Sequence, residues 1–404
     1  MRLAVVTQTR SRVGGLETYL EAVLPGLARA HTVAFFSVDG ESAARGAVAL
    51  PADVPAFSLD RTAADPVAAL RRWQPDILFA HGLDDAATET EVLRVAPAVI
   101  VQHTFHGTCI SSGKTMTWPA VTQCDRAFGS ACLAMYFPRR CGGSNPLTML
   151  RLYRTQAQRL RELQKAAAVV TLSEHMAREL RRNGLRAERV HVVPPFVGAC
   201  DAAPAAPASD VCRLLYVGRL EPLKGVDRLL LALAMVSDRL RRTVRLVIAG
   251  DGAERRRLES QAADICKSDR RLSVIFSGWQ DDSGRTRLLS DTDALVVPSL
   301  WPEPFGLVGI EAAVCGVPAV AFATGGIPEW LREGENGCLA PAAGARPELL
   351  ADAITRCAGS IETLTRLRSG ARQSAARWTL DRHLSRLDAV FQQAAGSSLC
   401  AVPA

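Results

Sequence analysis

Aromatic side chains are scarce in this chain. Phe, Trp and Tyr together make up 5% of its 404 residues. Surfaces that bind single-stranded nucleic acid stack bases on rings set between cations. No basic stretch here is interleaved with rings, so no nucleic-acid partner is expected. Long apolar runs are missing too, and none approaches the roughly 18 residues of a membrane-spanning helix. The opening "MRLAVVTQTR" turns polar without the longer apolar core and small-residue cleavage site of a secretory leader, so a cytoplasmic protein is expected. Acidic residues are outnumbered, 41 against 48 Lys plus Arg, a net charge of +7. That excess suits an anionic ligand or an anionic membrane surface. The eleven cysteines are scattered apart from a denser group between Cys109 and Cys141. In a long cytoplasmic chain this is not a disulfide scaffold.

What is present is a globular composition, 48% hydrophobic and 22% charged. The length exceeds one ordinary core and fits two domains. Short apolar runs alternate with longer helical patterns, which reads as an α/β fold with parallel sheets. Strands are expected at 3–7, 32–37, 76–81, 98–103, 168–173 and 190–194 in the first half. Helices follow Gly15 and Ser173, and another covers about 147–165. The stretch "FVGACDAAPAAPASDVC" at 196–212 is rich in Ala and Pro and reads as a linker. The alternation then restarts, with strands at 213–218, 244–250, 272–278, 293–299 and 318–322 and helical patterns at 346–375 and 380–395. The resulting division is an N-terminal domain over 1–197, a linker over 198–211, a second domain over 212–375, and a terminal helix and tail over 376–404 that packs back on the first domain. Two doubly wound domains imply a cleft, with ligands at the carboxyl ends of the strands.

Four segments carry chemistry. In "TRSRVGGLETYL" Gly14 and Gly15 sit between the first strand and a helix, where backbone can approach a ligand and the helix start favours an anion; an ordinary turn reads the same way. In "LLYVGRLEPLKGVDRLL" a strand ends at Gly218, and Arg219 and Lys224 follow beside a helix start. Two cations there suit a diphosphate, and solvated loop charges are the alternative. In "WPEPFGLVGIEAAVCG" Glu303 stands on an elbow and Glu311 in the second turn of an apolar helix. Their spacing puts them about 10 Å apart. A retaining glycosidase needs its two carboxylates at about 5 Å, so these read as two separate anchors for hydroxyl groups. The backbone of Phe305, Gly306 and Leu307 at the helix start is available to a sugar or phosphate. The alternative is a solvated Glu303 and a Glu311 paired with a nearby Arg. In "VIVQHTFHGTC" His106 follows a strand end, while His103 reads as packing.

Cys109, Cys124, Cys132 and Cys141 fall in a stretch with little periodicity. Four thiolates can hold a structural zinc ion or an iron–sulfur cluster, and buried thiols filling apolar gaps are the alternative. The basic helix "MLRLYRTQAQRLRELQK" reads either as a solvated face or as a peripheral contact with the inner face of an anionic membrane.

The second half resembles the donor-binding domain of the GT-B retaining glycosyltransferases, family 4. The resemblance rests on "VGRLEPLKGVDRLL", "LVIAGDG", "VIFSGW", "VVPSLWPEPFGLVGIEAAVCGVPAVA" and "ATGGIPEWLREGENG" in this order. The first half matches more loosely, through "GGLETYL" and "TFHGT". The resemblance implies a GT-B fold, two doubly wound Rossmann-like domains facing across a cleft. It implies transfer of a sugar, of hexosyl type, from a nucleotide diphosphate sugar to a glycan, lipid-linked or small-molecule acceptor, with retained configuration. Glu311 would bind the ribose, Glu303 a sugar hydroxyl, and Arg219 and Lys224 the diphosphate. Gly14, Gly15 and Gly218 would line the donor, and His106 would act at the reacting centre. No catalytic metal or other cofactor is implied. A nucleotide-sugar epimerase or hydrolase of the same fold, or a non-catalytic transferase-like scaffold, are the rival readings.

Overall fold

The computed structural model describes residues 1–11, 15–39, 46–59, 65–200, 206 and 210–399. The chain forms two compact units. Unit 1 comprises Met1–Gly113, Asp125–Pro194 and Leu380–Ala404, and unit 2 comprises Lys114–Cys124 and Pro195–Thr379.

In chain order the elements are β1 (Arg2–Thr9), α1 (Gly15–Ala30), β2 (Thr32–Asp39), β3 (Ala56–Ser58), α2 (Ala68–Trp73), β4 (Ile77–Ala80), α3 (Ala86–Leu93) and β5 (Ala98–Gln102). A hairpin of β6 (Thr115–Met116) and β7 (Thr122–Gln123) follows, then α4 (Ala131–Tyr136), α5 (Pro146–Lys165), β8 (Ala168–Thr171), α6 (Glu174–Arg182) and β9 (Val190–Val192). Next come β10 (Val211–Val217), α7 (Val226–Leu240), β11 (Thr243–Ala249), α8 (Arg255–Ser268), β12 (Leu272–Gly278), α9 (Asp282–Ser290) and β13 (Ala294–Val297). The chain ends with α10 (Leu307–Val314), β14 (Ala319–Phe322), α11 (Ile327–Trp330), β15 (Gly337–Ala340), α12 (Pro347–Ala358), α13 (Ile361–Ala375) and α14 (Leu380–Leu399).

Unit 1 is built on a sheet ordered β3-β2-β1-β4-β5-β8-β9, and unit 2 on one ordered β12-β11-β10-β13-β14-β15. Every pairing within these two sheets is parallel. Parallel strands are covered on both faces, so they read as continuous apolar runs. All four residues of β4, β8, β13 and β14 are buried accordingly.

Several helices begin where a side chain supplies an acceptor. Asn145 accepts from Leu147 N at 2.9 Å and Pro146 opens α5, a pairing that satisfies an orphan amide and presets the first turn. Ser173 caps α6 through Met176 N at 3.2 Å. The single helical pattern expected over 346–375 is two helices. Gly359 and Ser360 interrupt it, and Ser360 starts α13 by accepting from Thr363 N at 3.1 Å.

The terminal helix α14 belongs to unit 1 and packs on α1, β4 and β5. His383 donates from Nδ1 to Pro194 O at 2.8 Å, which leaves Nε2 to accept from the Tyr19 hydroxyl at 2.9 Å. His31 Nε2 lies 3.1 Å from Asp388 Oδ1. In unit 2 the entering and leaving segments of the chain are joined by Val197 N, which donates to Trp378 O at 3.0 Å. Cys200 and Cys315 form a disulfide with a Cα–Cα distance of 5.2 Å. Among the described residues no helix is long and apolar enough to cross a membrane.

Candidate active site

The strand order of unit 2 reverses direction at β10, with β11 and β12 on one side and β13 to β15 on the other. In an open parallel sheet, that turning point leaves a crevice at the carboxyl ends. Here β10 runs through Gly218 and Arg219 into the short turn Pro222–Lys224, and β13 runs into the elbow at 298–306. The two loops are stitched together, since Leu300 N and Trp301 N both donate to Leu223 O, at 2.9 and 3.2 Å. Gly225 makes the approach possible. Its φ is 69°, and an added Cβ would lie 2.0 Å from Pro298 O, a position open only to glycine.

This approach brings Lys224 and Glu303 into contact. Lys224 Nζ lies 2.7 Å from Glu303 Oε1 and 4.9 Å from the centroid of the Trp301 ring. Glu303 itself is 8% exposed. The alternative of a solvated Glu303 is thereby excluded: the carboxylate is buried and paired. Arg219 turns elsewhere, to Glu221 at 2.6 Å, with 71% of its side chain exposed. A carboxylate two residues away is the nearer counter-charge when no anion is bound. Gly218 N continues the sheet by donating to Ala249 O at 3.0 Å, and the Tyr216 hydroxyl donates to Arg219 O at 2.8 Å.

The elbow is fixed from beneath. Trp330 Nε1 donates to Phe305 O at 2.6 Å, and Gly326 N donates to Glu303 O at 2.7 Å. The buried Phe305 ring meets Trp378 edge-on, with centroids 5.2 Å apart. Gly306 caps α10 with φ 92°, so the chain turns sharply into a helix whose first amides have no preceding helical carbonyl. Leu307 opens that helix and is exposed. Glu311 follows in the second turn and is half-buried. Burial raises its pKa, against the opposing pull of Arg285. Arg285 itself bonds Asp282 at 2.7 Å. An Asp-x-Asp is also present, Asp291 to Asp293, but it stands at the amino end of β13. Its carboxylates bond Arg213, Arg245 and Arg368.

Unit 1 has a cavity of about 200 Å³ near the carboxyl ends of β4 and β5, lined by His81, Glu89, Gln102, His103, His106 and Arg159 among others. His81 Nδ1 lies 3.0 Å from His103 Nε2 in a stacked pair. Tyr19 meets both rings edge-on. His106 is at the mouth, exposed to solvent. Crowding by the surrounding protein, and then the charge of Arg159, lower its pKa to about 4. Arg159 is occupied by Glu89 at 3.1 Å. His81 went unremarked in the sequence; its signal is that neighbouring strands each close on histidine. Gly15 opens α1 with nothing within 4 Å of an added Cβ, and Gly14 lies outside the described residues.

The four cysteines of the expected metal site are not brought together. Among the described residues no group of three or more His, Cys, Asp or Glu side chains is placed to hold a metal ion. Cys124 lies on the hairpin that belongs to unit 2, whereas the other three belong to unit 1. Cys109 Sγ sits 3.6 Å from Ser111 Oγ, and Cys141 Sγ reaches Met135 O at 3.8 Å.

Residues 13–198 match the family described as Glycosyltransferase Family 4, and residues 205–374 match Glycosyl transferases group 1. A D-inositol 3-phosphate glycosyltransferase of Acidothermus cellulolyticus is 35% identical over 190 residues, 43% of this chain and 41% of that protein. A glycogen synthase of Mycobacterium tuberculosis is 40% identical over 160 residues, 39% of this chain and 34% of that protein. The chain thus spans about half or less of these curated relatives. Among solved structures, sucrose-phosphate synthase from Thermosynechococcus elongatus aligns with TM-score 0.70 at 20% identity, covering 98% of this chain and 99% of that one. HepE from Anabaena, in complex with UDP and glucose, aligns with TM-score 0.67 at 19% identity, covering 97% and 99%. At these identities the structures speak to the fold, which is GT-B.

Proposed function

Because the chain belongs to the group 1, family 4 glycosyltransferases, we propose that it moves a sugar from a nucleoside diphosphate to an acceptor hydroxyl, retaining the anomeric configuration and using no catalytic metal. The observation that carries this reading is the Lys224–Glu303 pair at the switch point of unit 2, beside the start of α10. In the donor-free state each member neutralises the other. A diphosphate offers Lys224 a stronger, multiply charged partner. Arg219, exposed and paired with the exposed Glu221, is placed to leave it for the same phosphates. Glu303 is then released to accept hydrogen bonds from sugar hydroxyls, and Glu311 from ribose hydroxyls.

The leaving diphosphate gains charge as its bond to the sugar breaks. Lys224, Arg219 and the first amides of α10 bind that developing charge more tightly than the ground state, and one such donor is worth about 2.7–4 kcal/mol. His106, with its pKa lowered to about 4, is a neutral imidazole at neutral pH. It is assigned proton exchange on the acceptor side rather than charge neutralisation. HepE has been solved with UDP-glucose, which makes uridine diphosphate hexoses the first donors to try.

The test is turnover of a panel of nucleotide sugars with and without polyol acceptors, in the presence of EDTA. Nucleoside diphosphate release that depends on acceptor, with a product whose anomeric signal by NMR matches the donor's, is the expected result. An inverted product, or activity restored only by Mg²⁺ or Mn²⁺, overturns the retaining or the metal-free part respectively.

A further inference from the structure

Three of the nine exposed large apolar side chains among the described residues fall within a short stretch of unit 1: Phe137 at 41%, Leu147 at 76% and Leu150 at 40% exposure. Phe137 follows α4, whose last residue Tyr136 is buried and meets Phe137 edge-on at 5.1 Å. Leu147 lies in the first turn of α5 and Leu150 at the start of the second. Along α5 the exposed positions continue with Arg151, Arg154 and Arg161. These steps of three, four and seven keep all five residues on one face of the helix. The opposite face buries Gln156 and Leu163.

The charge of this stretch is of one sign. From Arg126 to Arg161 the sequence contains seven arginines and neither Asp nor Glu. Single exposed apolar residues are ordinary on a protein surface, but here three are grouped beside arginines. We propose that the amino-terminal half of α5, with Phe137 beside it, is a docking surface for an anionic lipid bilayer. Phe137, Leu147 and Leu150 enter the boundary between headgroups and acyl chains. Arg151, the residue after Leu150, and Arg154, about one turn further on, meet the phosphates. With the helix entering by its amino end, the rise from Leu147 to Arg154 of about 10 Å along the axis sets Arg154 behind the leading leucine. A nucleic acid would use the arginines but leave the leucines without a role. The proposal stands independently of sugar transfer, since it concerns unit 1 alone.

The test is co-sedimentation of the full chain with vesicles of phosphatidylcholine plus phosphatidylglycerol, and with phosphatidylcholine alone, at low and high salt. Binding to the anionic vesicles that weakens with salt is expected. Leu147→Glu/Leu150→Glu and Arg151→Glu/Arg154→Glu should each lower the partition coefficient at least about tenfold. Melting temperatures should stay unchanged, because all four positions are exposed. Absence of binding to anionic vesicles overturns the proposal. So does a leucine variant that binds like the parent. If heparin and vesicles are both lost by the arginine variant while the leucine variant keeps them, the patch is a general polyanion site and not a membrane surface.

Discussion

Removing the Lys224 ammonium has two separable consequences. In Lys224→Ala, Glu303 loses the cation 2.7 Å away, in a pair whose side chains are 18% and 10% exposed. Breaking a buried pair from one side costs about 3–5 kcal/mol. Because Lys224 is partly open to water, the lower end applies, about 3 kcal/mol. Loss of the contact with the Trp301 ring adds about 0.5–1 kcal/mol. For a unit of this size each kcal/mol shifts melting by about 2–4 °C, so unit 2 should melt roughly 7–16 °C lower. Turnover should fall independently, by about 100- to 1,000-fold, through the lost diphosphate contact. Lys224→Met/Glu303→Leu separates the two effects. With no orphaned carboxylate it should regain much of the lost stability and remain inactive. Calorimetry, together with nucleoside diphosphate release measured below the transition, reads both. A Lys224→Ala protein that melts like the parent, or a double variant no more stable than the single one, refutes the electrostatic argument. Near-normal turnover refutes the site.

Glu311→Ala should lower turnover at least about 100-fold while the fold survives, because a charged contact to the donor is lost; a thermal scan and a rate assay suffice, and a near-normal rate contradicts its role. The same residue predicts a pH effect. Its folded pKa is raised by burial, so its ionisation destabilises the fold as pH rises through that value and has no effect below the unfolded pKa. Glu311→Gln should therefore exceed the parent in stability at neutral pH and converge with it below about 4.5; a gap independent of pH would contradict this. Gly309→Ala drives a methyl to 2.0 Å from the Trp330 ring beneath the elbow, and should destabilise by about 1–3 kcal/mol in denaturant titration; an unchanged midpoint would show that the elbow yields. Reducing the Cys200–Cys315 disulfide, which closes a separation of 115 residues, should lower the stability of unit 2 by up to about 5 kcal/mol. Identical melting with and without a dithiol, in protein shown by peptide mapping to carry the bond, would refute that.

Buried parallel strands were legible because they are apolar throughout, as Ile77–Ala80 and Ala294–Val297 are. The strands that escaped notice are short or interrupted. Ala56–Ser58 has three residues and is not buried, Thr115–Met116 and Thr122–Gln123 have two each, and Gly337–Ala340 begins on glycine. The first three are too short for a period to register, and the glycine that opens the last breaks up its apolar run. Within the candidate site, Lys224, Glu303 and Glu311 were visible as residue types at strand and helix ends. Their pairing was not, since Lys224 and Glu303 are 79 positions apart and meet only through the glycine-enabled approach of two loops. The histidine pair His81–His103 spans neighbouring strands in the same way. The cysteines show the converse. Closeness along the chain suggested a ligand set between Cys109 and Cys141, whereas the bonded pair lies between Cys200 and Cys315.

The membership of α14 in unit 1 bears on how the protein is made. Tyr19, His31 and Phe79 from the first part of the chain wait for His383, Asp388 and Phe391. At about 5–20 residues per second, the 186 positions from Pro194 to Leu380 (380 − 194) take the ribosome roughly 10–40 s. Throughout that interval the apolar face later covered by α14 is open, while the Pro195–Thr379 part of unit 2 is translated. Unit 1 is thus translated first and completed last. Its exposure to chaperones and proteases during synthesis is governed by the elongation rate across unit 2 and not by its own folding speed.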